Sequence, residues 1–312
     1  IDVLHARGHV PAAMATLVKR RIGAQIVFDI RGFMPEEYTD AGVWPAGGYL
    51  YRGTKLAEKR LFVAADAFVV LTERARNILF PGYTDADSSG RPVEVIPCCV
   101  DPKRFQLFEN ISREDVRREL NLTNRRVIVY VGALGGWYLT NEMAEFLATA
   151  HKQDATTFSL ILTQSQPETI VQRLNELGIS QTDYLVKEVA PKDVPRYLKA
   201  ADVAISFIKP CYSKLSSSPT KIAEYLASGL PVISTAGIGD LDEIIKGDKV
   251  GVVIEQCTEV AYRRALDEVD ALRREGNLAE RCRASARRRF DLEKVGGERY
   301  RRLYRRLLEF AS

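Results

Sequence analysis

The chain has 312 residues, 46% of them hydrophobic and 28% charged, with a formal net charge of +4. That length exceeds one ordinary domain, and the composition suits a globular protein with a sizeable core rather than a disordered or fibrous one. No apolar run approaches the roughly 20 residues needed to cross a bilayer. Five cysteines, two adjacent and none in a Cys-x-x-Cys pair, fit neither a disulfide framework nor a zinc site and point to a reducing, cytoplasmic setting. His5, His9 and His151 show no metal-ligand clustering, so the expected metal is none.

In chain order, short apolar runs alternate with longer amphipathic stretches. Strands are predicted at Ile1–His5, Gln25–Ile30, Ala67–Leu71 and Val93–Ile96, with helices at Pro11–Arg21, Tyr49–Ala64 and Glu73–Phe80. The chain opens on a strand without an initial Met, so a further N-terminal portion of this first domain is expected. VIPCCVDPKRF, with two prolines and an aspartate, reads as a boundary. A second series follows, with strands at Val127–Val131, Phe158–Thr163, Tyr184–Val186, Val203–Ile208, Val232–Ser234 and Val250–Ile254. Helical stretches between them include Asn141–His151, Glu168–Leu177, Val194–Ala200 and Pro219–Ser228. Alternation of this kind implies parallel sheets, and the continuously apolar FSLILT and VAISFI suit strands covered on both faces. The predicted class is α/β, as two doubly wound domains. Ligands of such sheets bind beyond the strand carboxyl ends, where His5, Arg31, Thr72, Gly132, Gln164 and Lys209 fall.

From Arg281 to Ser312, eleven Lys and Arg stand against four Asp and Glu, a net of +7. Tyr300, Leu303, Tyr304, Leu307 and Leu308 recur there at helical spacing. The pattern predicts a terminal helix docked by its apolar stripe, with a basic face turned to solvent or to anionic lipid headgroups. No nucleic-acid motif accompanies the charge, so no nucleic-acid partner is expected.

Ser217–Ser234, SSPTKIAEYLASGLPVIS, carries the most chemistry. Ser218 suits an N-cap and Pro219 the first helical position, which leaves the amides of Thr220 and Lys221 at an electropositive helix end. Lys221 adds a full charge, and the hydroxyls of Ser218 and Thr220 add donors for a diphosphate. Glu224, on the same face, is better placed to accept from a neutral diol such as ribose. A capped amphipathic helix with a Lys221–Glu224 surface pair accounts for the residues equally well. Gly229 and Pro231 end the helix before the strand VIS.

Pro219, Lys221, Glu224-Tyr225, Ala227, Gly229 and Pro231-Val232-Ile233 resemble the donor-site motif of family-4 retaining glycosyltransferases. VEVIPCCVDPKRF resembles the segment closing the first domain in that family, and FDLEKVGGERYRRLYRRL resembles its returning terminal helix. The resemblance implies GT-B architecture, two Rossmann-like domains facing a cleft. An acceptor domain would span 1–108 plus 292–312 and be incomplete at its start, and a donor domain would span 109–291. It implies a nucleotide-diphosphate sugar as donor substrate, no cofactor, and a saccharide or lipid-linked acceptor in bacterial surface polysaccharide or glycolipid assembly. Lys221 and the helix start would hold the diphosphate, Glu224 the ribose, and His5 would lie near the transferred sugar. Apart from the resemblance, Arg31 is read on the acceptor side, where an acidic or phosphate-bearing group would suit it. Ser216 stands where the family often has a first glutamate. Gly132 and Gly135, in GALGGWYLTNE, would bring backbone amides to phosphate where the family often has Arg and Lys. A nucleotide-sugar epimerase of the same architecture and a non-catalytic nucleotide-sugar-binding subunit are the alternatives.

Overall fold

The computed structural model describes residues 1–108 and 110–311. A first parallel sheet holds β1 (Val3–Arg7), β2 (Gln25–Ile30), β3 (Ala67–Val70) and β4 (Val93–Val95) side by side in chain order. A second, six-stranded sheet is built from β5 (Arg126–Val131), β6 (Thr157–Leu162), β7 (Tyr184–Lys187), β8 (Val203–Ser206), β9 (Val232–Thr235) and β10 (Gly251–Ile254). Its order is β10-β9-β8-β5-β6-β7, again all parallel. The fold is therefore α/β with two parallel-sheet domains, as the alternation predicted.

Both faces of the second sheet are covered, which is why its strands read as unbroken apolar runs. Val127 and Val129 of β5 pack with Leu160, Ala204 and Val232 beneath helices Thr220–Ala227 and Leu278–Phe290. Ile128 and Tyr130 point the other way, to Met143, Phe146 and Leu266 of helices Thr140–Gln153 and Glu259–Arg274. In the first sheet, Phe28 and Phe68 pack with Ala12 and Leu61 of helices His9–Ile22 and Tyr49–Ala64. The opposite face, Val27 and Val69, is covered by Leu303 and Leu307 of helix Glu298–Ala311. The two crossings between the lobes run side by side: Val100 N–H donates to the Phe290 carbonyl, and Leu292 N–H to that of Val100.

Several boundaries differ from the sequence reading. β1 starts two residues later and runs to Arg7, which puts His5 in mid-strand instead of at the strand exit. Between the predicted elements ending at Ile30 and beginning at Tyr49 lies a further helix, Met34–Asp40, begun by Pro35 in its first turn. Ser218 does not cap the donor-motif helix: Pro219 is the cap residue and Thr220 the first helical one. The Ser218 hydroxyl instead accepts from Cys98 N–H at 3.1 Å, across the lobe junction. The basic face of the last helix is also less free than expected. Arg302 pairs with the buried Glu94, Arg299 donates to the Val95 carbonyl and Arg306 reaches Asp85. Among the described residues no helix is long and apolar enough to cross a membrane.

Candidate active site

Strand order in the second sheet reverses between β5 and β8, the point at which open parallel sheets hold ligands beyond their carboxyl ends. The loop after β5, Gly132–Leu139, and the segment leading from β8 into helix Thr220–Ala227 flank that crevice. Tyr225, fully buried, ties the two: its hydroxyl accepts from Val131 N–H at 2.7 Å. One turn earlier the helix begins. Its first internal bond is donated by Ile222 N–H to the Pro219 carbonyl, so the amides of Thr220 and Lys221 precede the ladder and face the crevice end.

Lys221 is buried, and it is not paired with Glu224. Its ammonium lies 4.3 Å from the ring centre of Tyr130 and 4.1 Å from that of Tyr138, and donates to the Tyr130 hydroxyl at 3.1 Å. The Tyr130 hydroxyl in turn donates to the Ala133 carbonyl. Aromatic faces stabilise a desolvated cation, but they do not replace lost water. Burial pulls the Lys221 amine down to about 7, against a weaker upward pull from the Glu224 carboxylate. A buried lysine of this kind is poised to gain its proton when an anion arrives.

Glu224 faces the other way on the same turn. Its Oε1 accepts from Arg104 Nη1 at 2.8 Å, and Arg104 Nη2 donates to the Pro191 carbonyl at 2.5 Å. The alternative reading of a Lys221–Glu224 surface pair thus gives way to two separate arrangements.

The glycine expectation needs correction. Gly132 N–H donates to the Leu162 carbonyl and Gly135 N–H to Thr140 Oγ1, so neither amide is open to a phosphate. What Gly132 supplies is room, since a β-carbon there would fall 2.6 Å from Lys221 Nζ. Gly135 instead helps line a cavity of about 520 Å³ with Gly136, Asn141, Ser165 and Gln166, at the carboxyl ends of β5 and β6. Ser216 is buried, with its hydroxyl donating to the Ser213 carbonyl and accepting from Phe33 N–H of the first lobe. It joins the lobes; a contact to a donor sugar would require both bonds to open. Thr220 is exposed at the helix start.

On the first lobe, His5 lies under the terminal helix. Its Nδ1 is 2.7 Å from the Tyr304 hydroxyl and its Nε2 3.7 Å from the buried Asp29. The later bounds of β1 remove it from the strand exit, and the histidine just past that exit is His9, buried against Glu58 at 2.9 Å. Arg31, just past β2, reaches Cys98 Sγ at 3.5 Å and so stands beside the segment that Ser218 holds.

Besides Tyr130 and Tyr138, four further contributors escaped the sequence reading. Trp137, next to Tyr138, covers the buried ammonium of Lys214 at 3.9 Å, and Lys214 pairs with Glu37 of the first lobe at 3.2 Å. The adjacent aromatics of GALGGWYL were the available signal for two covered cations. Asp240 accepts from the amides of Glu73 and Arg74, again across the lobes. Arg104 sits inside the quoted VDPKRF segment, but nothing local announces its partner. Among the described residues no group of three or more His, Cys, Asp and Glu converges as metal ligands would.

Two parallel-sheet lobes, with a lysine-bearing helix start at the switch point of the second, define a GT-B glycosyltransferase fold. Sucrose-phosphate synthase (tll1590) from Thermosynechococcus elongatus superposes with a TM-score of 0.76 at 17% identity, over 99% of this chain and 74% of that one. Anabaena Alr3699/HepE in complex with UDP superposes with a TM-score of 0.73 at 14% identity, over 97% and 78%. Residues 112–289 match the family Glycosyl transferases group 1, and the chain belongs to that family. A sequence relative is the UDP-N-acetylglucosamine–N-acetylmuramyl-(pentapeptide) pyrophosphoryl-undecaprenol N-acetylglucosamine transferase of Alkaliphilus metalliredigens (strain QYMF), 27% identical over 232 residues. That match takes in 72% of this chain and 59% of the relative, so the chain spans less than two thirds of the relative's length.

Proposed function

We propose that the chain transfers a sugar from a nucleotide-diphosphate donor to an acceptor hydroxyl, with retention at the anomeric carbon and without a metal ion. The observation that carries this reading is the division of labour on one helical turn. Lys221 and the free amides offer positive charge at the helix start, while Glu224, already neutralised by Arg104, offers a carboxylate oxygen to a diol. As the glycosidic bond breaks, charge builds on the leaving diphosphate, and a helix end plus an ammonium stabilises it where it develops. The acceptor oxygen forms the new bond to the anomeric carbon, and its proton passes to the departing phosphate oxygen.

The Alkaliphilus relative is named for transfer to a lipid-linked acceptor, and HepE is described in complex with UDP. Both support a nucleotide-sugar donor and a saccharide or lipid-linked acceptor here, in bacterial surface polysaccharide or glycolipid assembly at the cytoplasmic face of the membrane. Arg31 is assigned to the acceptor side, where its guanidinium suits a phosphate or carboxylate.

Calorimetric titration with UDP, GDP and ADP tests the donor site. Lys221→Ala and Glu224→Gln are each expected to weaken the best ligand by at least tenfold, and unchanged affinity in both would remove the assignment. Turnover assayed with excess chelator should persist; loss restored by magnesium would overturn metal independence. Incubation of donor alone singles out the epimerase, which releases an epimer or free nucleotide with no acceptor present, whereas a protein that binds donor and turns nothing over even with acceptor would be the non-catalytic subunit.

A further inference from the structure

The carboxylate assigned to the ribose is held by a residue from outside its own domain's sheet. Arg104 lies on the short helix Lys103–Gln106, in the segment that has just crossed from the first lobe. That helix is fixed at its start, where Asp101 accepts from Lys103 N–H, and at its far side, where the partly buried Phe105 packs against the core of the second lobe. Its guanidinium fork spends one arm on Glu224 Oε1 at 2.8 Å and the other on the Pro191 carbonyl at 2.5 Å. Among the described residues no hydrogen bond reaches the second oxygen, Oε2, of Glu224, whose side chain is only 13% exposed.

We propose that Arg104 is a positioning residue for the donor ribose, locking Glu224 through Oε1 so that Oε2 accepts from the ribose diol, and fixing the Pro191 segment beside it. This rests on the donor-site reading above. Two physical effects combine. A planar fork with both arms engaged has little rotational freedom, so the carboxylate it holds is pre-aimed, and an unaimed one would lose part of its hydrogen-bond strength in ordering. Arg104 also cancels the charge of Glu224, which otherwise would repel the diphosphate that Lys221 attracts one turn away. Lysine in place of Arg104 keeps the second effect and loses the first, since a single ammonium cannot hold two acceptors in a fixed plane.

The test compares binding of UDP, GDP and ADP with that of their 2′-deoxy counterparts, with inorganic pyrophosphate as a probe that has no ribose. Wild type is expected to prefer the ribonucleotide by about tenfold, in line with one well-aimed hydrogen bond to a charged acceptor. Arg104→Ala should lower nucleotide affinity by tenfold or more and bring the ribo-to-deoxyribo ratio near one. Arg104→Lys should retain pyrophosphate binding within about threefold while the ratio still collapses, and in the Glu224→Gln background it should change the ratio no further. A folded Arg104→Lys protein that keeps the wild-type ratio overturns the positioning role. Failure of the underlying reading looks different: no nucleotide saturates the wild type, or Glu224→Gln itself leaves the ratio intact, and either result removes the proposal with it. Should Arg104→Ala fail to fold, the lysine variant alone decides.

Discussion

The ammonium of Lys221 occupies the space that a side chain on Gly132 would need: an ideal β-carbon there lies 2.6 Å from Nζ and 3.2 Å from Cε. Gly132 also has φ of +141°, in the range that side chains avoid. Gly132→Ala is therefore expected to expel Lys221 from its slot between Tyr130 and Tyr138 and to destabilise the fold by about 1–3 kcal/mol. Urea unfolding measures the second effect and diphosphate titration the first. Wild-type affinity for a nucleoside diphosphate in this variant would show that the slot is dispensable.

The same slot predicts proton uptake. The folded protein releases the Lys221 proton near 7 and the unfolded chain near 10.5, so between those values the unfolded state binds more protons. For this group, ligand-free stability rises with pH across that window. A diphosphate beside the amine favours the charged form and raises its pKa. Binding at pH 8.5 should take up about one proton, read from calorimetric enthalpies in buffers of different ionisation heat, whereas binding at pH 5.5 should take up almost none. Lys221→Met should abolish the uptake without lowering the unfolding temperature.

The strands and the helix beginning near Pro219 were legible because they are local: unbroken apolar runs mark doubly covered strands, and Pro219, Gly229 and Pro231 punctuate the helix. What failed is tertiary. Ser218 has the chemistry of a cap, but Cys98 N–H, 120 residues away in sequence, claims its hydroxyl. His5 was misplaced because the strand read as Ile1–His5 runs from Val3 to Arg7, a shift of bounds that the apolar pattern does not mark. Glu224 was read as an acceptor for a ribose diol or as a partner of Lys221, and its partner Arg104 is likewise 120 residues distant. No periodicity encodes such pairs.

Asp248 shows the same long-range pairing in a structural role. Burial pushes its carboxyl up, but hydrogen bonds from Arg289 and Ser285 and the charge of Arg288 outweigh that and hold it at about 2. The pair joins helix Leu241–Asp248 to helix Leu278–Phe290. A folded pKa below the unfolded 3.8 gives stability that is present above that value and lost as pH falls towards 2. After allowance for solvent screening, Asp248→Asn should lose about 1–2 kcal/mol at pH 7. The gap from wild type in urea unfolding should shrink by about half at pH 3. A gap independent of pH would assign the loss to packing instead.

Asp240 caps a helix that belongs to the opposite lobe. Its two carboxylate oxygens accept from Glu73 N–H at 2.7 Å and Arg74 N–H at 3.1 Å, at the start of helix Glu73–Leu79. Thr72 reinforces the junction by donating to the Leu215 carbonyl at 2.8 Å. Gly239, beside Asp240, approaches the first lobe so closely that a β-carbon there would fall 2.9 Å from Thr72 Cγ2. These contacts hold the lobes together within a few residues of the donor helix, so the cap resists opening of the cleft. Asp240→Ala should cost about 0.5–2 kcal/mol, as lost caps do. It should also raise amide exchange at Glu73 and Arg74 while exchange within β8 and β9 stays unchanged. Uniform acceleration across both sheets would mean that the residue supports the second lobe as a whole and that the lobe junction does not depend on it.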